Sequence, residues 1–267
     1  MCGNIILVGI GLLFVAQGLK YVRVLDLSDR IVPYKDAWDW QASLMDQQIS
    51  LQTSKSKGME DVDVVGHILL LQHRSVYTLG TASEEGSGPF SKMAPDGTLL
   101  EYDLFKTERA GQATYHGPGQ VVMYPILDLN HFERDIHVYL RGLEEMTIQT
   151  LATYGIDGSR KEGLTGVWVG AAKVAAIGIK LRRWVTMHGV ALNVCPDMRY
   201  FSNIVPCGIS DTSMSVGAIV NWVPSVDVAE VAPRFMRCFA EHFGVQQLVL
   251  SGDEAEAYIQ RLASSRQ

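Results

Sequence analysis

The sequence has few cysteines and no long basic run, and both shortages narrow the classes of protein it can be. No run of Lys or Arg exceeds two residues and the net charge is −6, so the broad basic face of a nucleic-acid-binding protein is missing. The four cysteines, Cys2, Cys195, Cys207 and Cys238, show neither CxxC spacing nor the density of a disulfide scaffold. This pattern favours a reducing compartment and argues against a zinc site.

The amino-terminal apolar run is too short to cross a bilayer. It extends from Ile5 to Ala16, whereas a spanning helix needs about 20 residues. The basic flank of a secretory signal is missing, because the first lysine, Lys20, follows the run. The region is not rich in Arg and Ser, as a transit peptide would be. We expect residues 1–20 to be a leader that adds little to the fold, with membrane association as the weaker alternative.

Nucleotide-binding loops are missing as well. The glycine-rich stretch HGPGQ, residues 116–120, lacks the GxxxxGK[ST] order, and no GxGxxG motif opens a helix after a strand. This loop must therefore hold something other than a phosphate. Gly111, Gly117 and Gly119 surround Tyr115 and His116, and glycines there would let an extended ligand lie against backbone in an apolar trough.

What the sequence does contain is enough apolar residues for one sizeable core. Hydrophobic residues make up 47% of the 267 positions. Alternating or continuous apolar runs predict strands at YVRVLDLS, HILLLQHRSVYTLG, LLEYDLFKTER, QVVMYPILDL, GVWVG and KVAAIGIKLRRWVTMHGVALNV. Helical spacing appears in DAWDWQASLMDQQISLQ, DIHVYLRGLEEMTIQTLATYG, VAEVAPRFMRCFAEHFG and near EAEAYIQRL. Because strands and helices do not alternate regularly, the sequence predicts an α+β fold, with one main domain over residues 21–250 and a helical tail over 251–267.

Cys207 is the candidate nucleophile, since it lies between Pro206 and Gly208 at a strand end. A lone cysteine is more often a small buried hydrophobe, and Cys195 and Cys238 are interpreted that way. A nucleophilic thiol needs a base or cation nearby. His116 and His188 would give a Cys–His hydrolase. Lys173 stands among small apolar residues, and it either points into water from a hairpin tip or points inward, where its charge favours a thiolate.

Three segments together resemble a known family. TERAGQATYHGPGQVVMYPILDL, GVWVGAAKVAAIGIKLRRWVTMHGVALNV and FSNIVPCGIS are similar to the lipoyl(octanoyl) transferases of lipoate biosynthesis. The likeness runs from about residue 62 to 209, and VPYKDAWDWQ upstream is also similar, particularly to plastid and cyanobacterial forms. HGPGQ, the lysine of KVAAIG and the PCG cysteine occur in the family's order, which makes the match specific.

The resemblance implies a fold, a catalytic pair and a substrate site. The fold would be that of the biotin and lipoate protein ligase catalytic domain, with mixed sheets flanked by helices and no cofactor. Cys207 matches the acyl-thioester nucleophile, and Lys173 matches the partner that lowers the pKa of the thiol. The implied substrate-binding residues are Arg109, Ala110, Gly111, Gln112, Ala113, Thr114, Tyr115, His116, Ala176, Ile177, Gly178, Gly189, Val190 and Ala191.

Two positions depart from the family pattern. Ala110 stands where the family usually has a second glycine after the arginine. Its methyl group could keep a substrate from approaching the backbone as closely as a glycine would allow. Ser75 stands where proline is frequent. Neither departure touches Cys207 or Lys173.

The resemblance also implies partners. Octanoyl-acyl carrier protein would be the donor, and lipoyl domains of 2-oxoacid dehydrogenase E2 subunits and the glycine cleavage H protein would be acceptors, without nucleic acid or stable membrane insertion. Lipoyl domains occur in bacterial cytoplasm, mitochondria and plastids, and the likeness tilts towards the chloroplast for a photosynthetic eukaryote. Two alternatives stay open: an ATP-dependent lipoate-protein ligase, and a non-catalytic acyl- or carrier-binding protein.

Overall fold

Twelve strands and four helices build the described part of the chain, which is seen in a computed structural model covering residues 19–53, 64–84, 88–89, 91–204 and 214–264. The helices are α1 (Tyr34–Thr53), α2 (Ile136–Ala152), α3 (Val228–Phe243) and α4 (Gly252–Ser264). The strands are β1 (Lys20–Val32), β2 (Val64–His73), β3 (Val76–Leu79), β4 (Asp103–Lys106), β5 (Thr114–His116), β6 (Gln120–Leu127), β7 (Ser159–Lys161), β8 (Leu164–Val169), β9 (Ala172–Arg182), β10 (Val185–Asn193), β11 (Ser215–Val216) and β12 (Val245–Ser251).

A large mixed sheet forms the frame of the molecule. Its strand order is β12-β1-β2-β6-β10-β9-β8-β7, with β11 pairing β9 from off this path. The β12, β1 and β2 strands run parallel, and β2, β6, β10, β9, β8 and β7 pair antiparallel in succession. The parallel pairs join segments far apart in sequence, whereas β8, β9 and β10 form consecutive hairpins. The central strands β6 and β10 are buried along their whole length, as expected for strands covered on both faces.

Helices cover both faces of this sheet. The α2 and α3 helices pack on one face around Leu143, Phe235 and Phe239, and α1 and α4 pack on the other around Leu44 and Ile259. Asp135 caps α2 by accepting hydrogen bonds from the N–H groups of its first turn. The predicted α+β class, with mixed sheets flanked by helices, is confirmed.

A smaller sheet, ordered β4-β3-β5, lies beside the large one. Its buried side chains, led by Tyr77 and Tyr115, form a separate cluster with Phe201 and Ile204. The β5 strand leads directly into the HGPGQ loop and then into β6 of the large sheet. This sheet therefore sets the position of residues 109–116 relative to the frame.

Most predicted elements are present, but some strands differ from the prediction. The four helices occur where their spacing predicts them, but the strand at LLEYDLFKTER shortens to β4. Strand β12 was not predicted, because VQQLVLS is short and its partner, β1, is more than 200 residues away. None of the helices in the described ranges combines the length and apolar character of a bilayer crossing, and most of the expected leader, residues 1–18, lies outside those ranges.

Candidate active site

A single pocket gathers most of the sequence-predicted substrate residues. It holds about 430 Å³ of space, counting the solvent at its mouth, which is within the range of small-molecule sites. Strands β6, β9 and β10 form its wall, and the start of α1 and the segment after β4 close it. Its lining residues are Tyr34, Arg109, Gly111, Thr114, His116, Val122, Tyr124, Ala176, Ile177, Gly178, His188, Gly189, Val190 and Ala191.

Arg109 fixes the segment that closes the pocket. Its guanidinium is buried and donates to the backbone and hydroxyl oxygens of Thr78 and to the carbonyls of Ala110 and Gln112, at 2.8 to 3.2 Å. The planar fork of arginine suits several fixed acceptors at once. The role of this side chain is therefore to hold the shape of the segment as well as to line the pocket.

Glycines on β9 and β10 let neighbouring backbone come close to the pocket wall. A Cβ on Gly178 would lie 2.8 Å from the carbonyl oxygen of Ala110, and one on Gly189 would collide with the carbonyl of Met123. The N–H of Ala110 donates to Ile179 at 3.0 Å. Ala110 itself is exposed and has no positive φ, so its extra methyl group fits without strain.

The glycines of HGPGQ contact protein rather than the pocket. A Cβ on Gly117 would collide with the Tyr115 ring, and one on Gly119, where φ is +88°, would collide with the backbone of Cys195. The N–H of Gly119 donates to the Gln72 side chain, and that of Gln120 donates to Gly117. The loop is thus a turn that locks β5, β6 and the end of β10 together, and of its five residues His116 alone lines the pocket.

The histidines around the pocket are neutral, and their hydrogen bonds assign the tautomers of two of them. Burial lowers the pKa of His73 to about 4 and that of His188 to about 3, and it holds the pKa of His116 well below its usual value. His73 Nδ1 contacts the Val32 carbonyl, which can only accept, so Nε2 accepts from the Tyr124 hydroxyl at 2.8 Å. His116 Nδ1 likewise donates to Gln120 Oε1.

Lys173 points inward. It is 5% exposed and its Nζ lies 5.6 Å from the centre of the Trp168 ring, so of the two alternatives for this lysine the buried one is confirmed. Within the described residues Nζ makes no hydrogen bond or ion pair. Gly166 leaves the space that the lysine occupies, because a Cβ there would be 2.6 Å from Lys173 Cε and 2.5 Å from the Ala175 carbonyl.

Cys207 lies outside the described residues, but the structure shows the residues on either side of its segment. Ile204 belongs to the small-sheet cluster, and Val216 packs against that same cluster. Val216 is also the β11 partner of Lys173. The Cys207 segment is therefore followed by a strand that pairs with Lys173 and preceded by a residue of the cluster that this strand contacts.

The two described cysteines do not compete for the role of nucleophile. Cys238 is buried in the core under α3, as its place on the apolar side of that helix predicts. Cys195 is exposed, so its interpretation as a buried hydrophobe is wrong. Partial burial of its thiol, followed by the charge of Asp227, raises its pKa. A raised pKa lowers the fraction of reactive thiolate.

The structure adds pocket residues that sequence reasoning missed and leaves some predicted ones out. Tyr34, Val122 and Tyr124 line the pocket, yet a tyrosine at a helix start or in an apolar strand has the pattern of a core residue. Of the predicted segment 109–116, Ala110, Gln112, Ala113 and Tyr115 are outside the lining. The described residues hold no group of His, Cys, Asp and Glu side chains that could bind a metal ion.

Comparison with known proteins assigns this fold and pocket to a family. The model for the lipoyl protein ligase A/B catalytic domain matches residues 33–240. The chain therefore belongs to the lipoyl protein ligase A/B catalytic-domain family. In fold it is similar to lipoate-protein ligase A bound with ATP (TM-score 0.60, 15% identity, covering 91% of this chain and 94% of that one). It is also similar to the bipartite lipoate protein ligase of Thermoplasma acidophilum (TM-score 0.59, 16% identity, 92% of both chains).

Within that family the chain groups with the octanoyltransferases, which are acyltransferases acting in protein lipoylation. An octanoyltransferase of Nostoc punctiforme is 48% identical over 216 residues, covering 81% of this chain and 86% of that protein. A chloroplastic octanoyltransferase of Arabidopsis thaliana is 48% identical over 186 residues, covering 69% of this chain and 62% of that protein. The resemblance seen in the sequence motifs is thereby confirmed.

Proposed function

We propose that the protein moves an octanoyl group from octanoyl-acyl carrier protein to a lysine of a lipoyl domain through a thioester on Cys207. The observation that carries this proposal is the burial of Lys173 beside Val216, which follows the Cys207 segment and packs against the cluster that contains Ile204. A buried ammonium needs an anionic or hydrogen-bonding neighbour to offset its lost hydration. A thiolate at Cys207 would supply that neighbour.

In the first half-reaction the Cys207 thiolate attacks the carbonyl carbon of the donor thioester. The carbon–sulfur bond to the carrier breaks, and the departing carrier thiolate takes a proton from the Lys173 ammonium. The products are the free carrier thiol, an octanoyl thioester on Cys207 and a neutral lysine.

In the second half-reaction the ε-amine of the lipoyl-domain lysine attacks that thioester. Lys173 accepts the amine proton, an amide bond forms, and the Cys207 thiolate leaves, which restores the initial ion pair. Conversion of a thioester to an amide runs downhill, so ATP is not required.

Oxyanion stabilisation belongs to backbone N–H groups near Gly208 in this scheme. The HGPGQ turn was the other candidate for this role. The N–H groups of Gly119 and Gln120 are already bonded within the protein, which favours Gly208.

The pocket supplies the acyl site. Burial of about seven methylene and methyl groups at about 0.8 kcal/mol each contributes roughly 5 to 6 kcal/mol to binding. Val122, Ala176 and Ala191 offer an apolar surface on the side nearer to Lys173. The natural acceptors under this proposal are lipoyl domains of 2-oxoacid dehydrogenase E2 subunits and the glycine cleavage H protein. They would be met in a chloroplast, in bacterial cytoplasm or in a mitochondrion, and the chloroplastic relative supports the first.

Intact-protein mass spectrometry after incubation with octanoyl-acyl carrier protein tests the proposal. We expect a mass increase of one octanoyl group, which is released when a lipoyl domain is added and is lost in Cys207→Ala. Cys195→Ala is the matched control and should label fully. If Cys207→Ala labels fully or octanoylates a lipoyl domain at the normal rate, the thioester mechanism is wrong. A lipoate-protein ligase would instead require free acid and ATP, and an acyl-binding protein would gain no covalent mass.

A further inference from the structure

The acyl pocket has two chemically different ends. Val122, Ala176 and Ala191 are cross-strand neighbours and make an apolar end three residues after Lys173 on β9. The other end lies at Gly178 and its partner Gly189, next to His188. At about 3.3 Å per strand residue, Gly178 is roughly 16 Å from Lys173 along β9. An acyl group with its carbonyl near Lys173 therefore extends towards His188, a direction that rests on the proposed function.

That far end is polar, which is unusual for a site that receives the methyl end of a fatty chain. His188 and Tyr124 lie there with ring centroids 6.3 Å apart, and Arg109 contacts Gly178. Tyr34 lines the same pocket and stacks on His116. We call His188, Tyr34 and Tyr124 the polar floor. His188 is 1% exposed, and neither of its ring nitrogens has a hydrogen-bond partner among the described residues. The Tyr34 hydroxyl, in a side chain 2% exposed, also makes no hydrogen bond to a described residue.

The polar floor is held in place by the surrounding structure. The Tyr124 hydroxyl donates to His73, which is fixed in turn by the Val32 carbonyl at 2.9 Å. His188 has φ of +62°, and its backbone N–H donates to the buried side chain of Gln41 at 2.9 Å. A histidine in the left-handed region is uncommon, and such conformations persist where the surroundings enforce them. The floor is thus a rigid surface with hydrogen-bonding groups left over.

We propose that the polar floor sets the acyl-chain length, accepting the octanoyl methyl group at its edge and rejecting longer chains. The unpaired polar atoms of His188 and Tyr34 can gain a hydrogen bond only from a molecule admitted to the pocket. A further methylene pressed onto them would exclude water from that place without offering a hydrogen bond. That penalty opposes the gain from burying the methylene itself. An apolar end wall would lack this penalty and would discriminate only by how well one further methylene fits.

Two substitutions separate polarity from space. Tyr34→Phe removes a hydroxyl and keeps the ring, and His188→Gly removes the imidazole at a position whose positive φ glycine accepts without strain. The experiment measures kcat/KM for transfer from hexanoyl-, octanoyl-, decanoyl- and dodecanoyl-acyl carrier protein to a lipoyl domain. We expect the decanoyl-to-octanoyl ratio to rise about tenfold in His188→Gly and about fivefold in Tyr34→Phe.

Tyr139→Phe is the matched control, because Tyr139 is a buried tyrosine in the core under α2, on the opposite face of the sheet. Its chain-length profile should equal that of the wild type. An unchanged ratio in both floor variants, with octanoyl transfer retained, would overturn the proposal while leaving the proposed function intact. A shift in His188→Gly alone would also contradict it, since space rather than polarity would then set the length. If the wild type transfers no acyl group from any carrier, the proposed function itself fails.

Discussion

Arg109 and Lys173 are both buried cations near the pocket proposed to bind the acyl group, but the protein holds them in opposite ways. Five hydrogen bonds tie the Arg109 guanidinium to Thr78, Ala110 and Gln112. The Lys173 Nζ lies over the Trp168 ring, and within the described residues it makes no hydrogen bond. A cation whose donors are used up maintains structure, whereas one whose donors remain available can hold and move a proton. Under the proposed mechanism, this difference distinguishes a residue that shapes the pocket from one that takes part in the reaction.

Removing the charge of Lys173 should have the largest effect on turnover. In Lys173→Met, which keeps much of the volume, we expect kcat for octanoyl transfer to fall about 1000-fold, the scale of general acid–base catalysis. The thermal unfolding temperature should change little, because Lys173 Nζ makes no hydrogen bond within the described residues. Lys161→Met is the control, since Lys161 contacts the same Trp168 ring at 4.9 Å but is half-buried on β7. If kcat of Lys173→Met stays within a few-fold of the wild-type value, Lys173 takes no part in the reaction and has a structural role like that of Arg109.

Displacing Lys173 without changing its charge should have the next largest effect. Gly166 has φ of +122° and faces Lys173 Cε across a gap that a methyl group would fill. We expect Gly166→Ala to lower kcat about 100-fold, the cost of misplacing a catalytic group by about 1 Å. Gly163→Ala is the matched control, because that glycine also has positive φ but open space around it. An equal fall of kcat in the two variants would mean that backbone strain, rather than displacement of Lys173, explains the result.

Weakening the hydrogen bonds of Arg109, which hold the segment that closes the pocket, should affect KM more than kcat. In Arg109→Lys the charge remains, but the fork that bonds Thr78 and Gln112 is lost. We expect the free energy of unfolding to fall by about 3 kcal/mol, since several buried carbonyl groups lose a donor, and KM for the donor to rise about tenfold while kcat changes less. Urea unfolding and steady-state kinetics measure the two effects. A fall in kcat as large as that of Lys173→Met would remove the contrast between the two cations.

The smallest expected effect concerns pH and stability rather than turnover. Burial, followed by the charge of Arg23, lowers the pKa of His67 to about 3. Below about pH 6.5 the unfolded chain therefore binds a proton at His67 that the folded chain does not bind. As a result the free energy of unfolding falls as the pH drops from about 6.5 towards 3. We expect His67→Phe to lose about 2 kcal/mol less than the wild type between about pH 7.5 and about pH 5 in urea unfolding. An equal loss in both proteins would show that His67 takes up its proton in the folded state.

Sequence patterns predict the local helices and hairpins, but they do not predict strands that pair with distant segments. The spacing in DIHVYLRGLEEMTIQTLATYG predicts α2, and the hairpin character of β8, β9 and β10 is visible from apolar runs and their glycines. Strand β12 escaped because its partner β1 lies at the other end of the chain. Pairing at that distance leaves no local periodicity to read.

The site shows the same division. The motifs of the family resemblance indicate which segments meet at the pocket, and the structure brings Arg109, Gly178 and Gly189 together there. The purpose of the HGPGQ glycines could not be read from sequence, because Gly117 and Gly119 contact Tyr115 and Cys195 across the fold. Tyr34 and Tyr124 were missed because a buried polar surface has the same sequence pattern as a core.

The pH dependence of Cys207 alkylation tests the central claim most directly. The rate of modification by iodoacetamide, followed by mass spectrometry of the peptide that contains Cys207, is measured across pH in the wild type, Lys173→Met and Lys161→Met. If Lys173 stabilises the thiolate, the wild type and Lys161→Met reach half of their maximal rate at a clearly lower pH than Lys173→Met does, since an ordinary thiol titrates near pH 8.5. Identical profiles in all three proteins would contradict the Cys207–Lys173 pair.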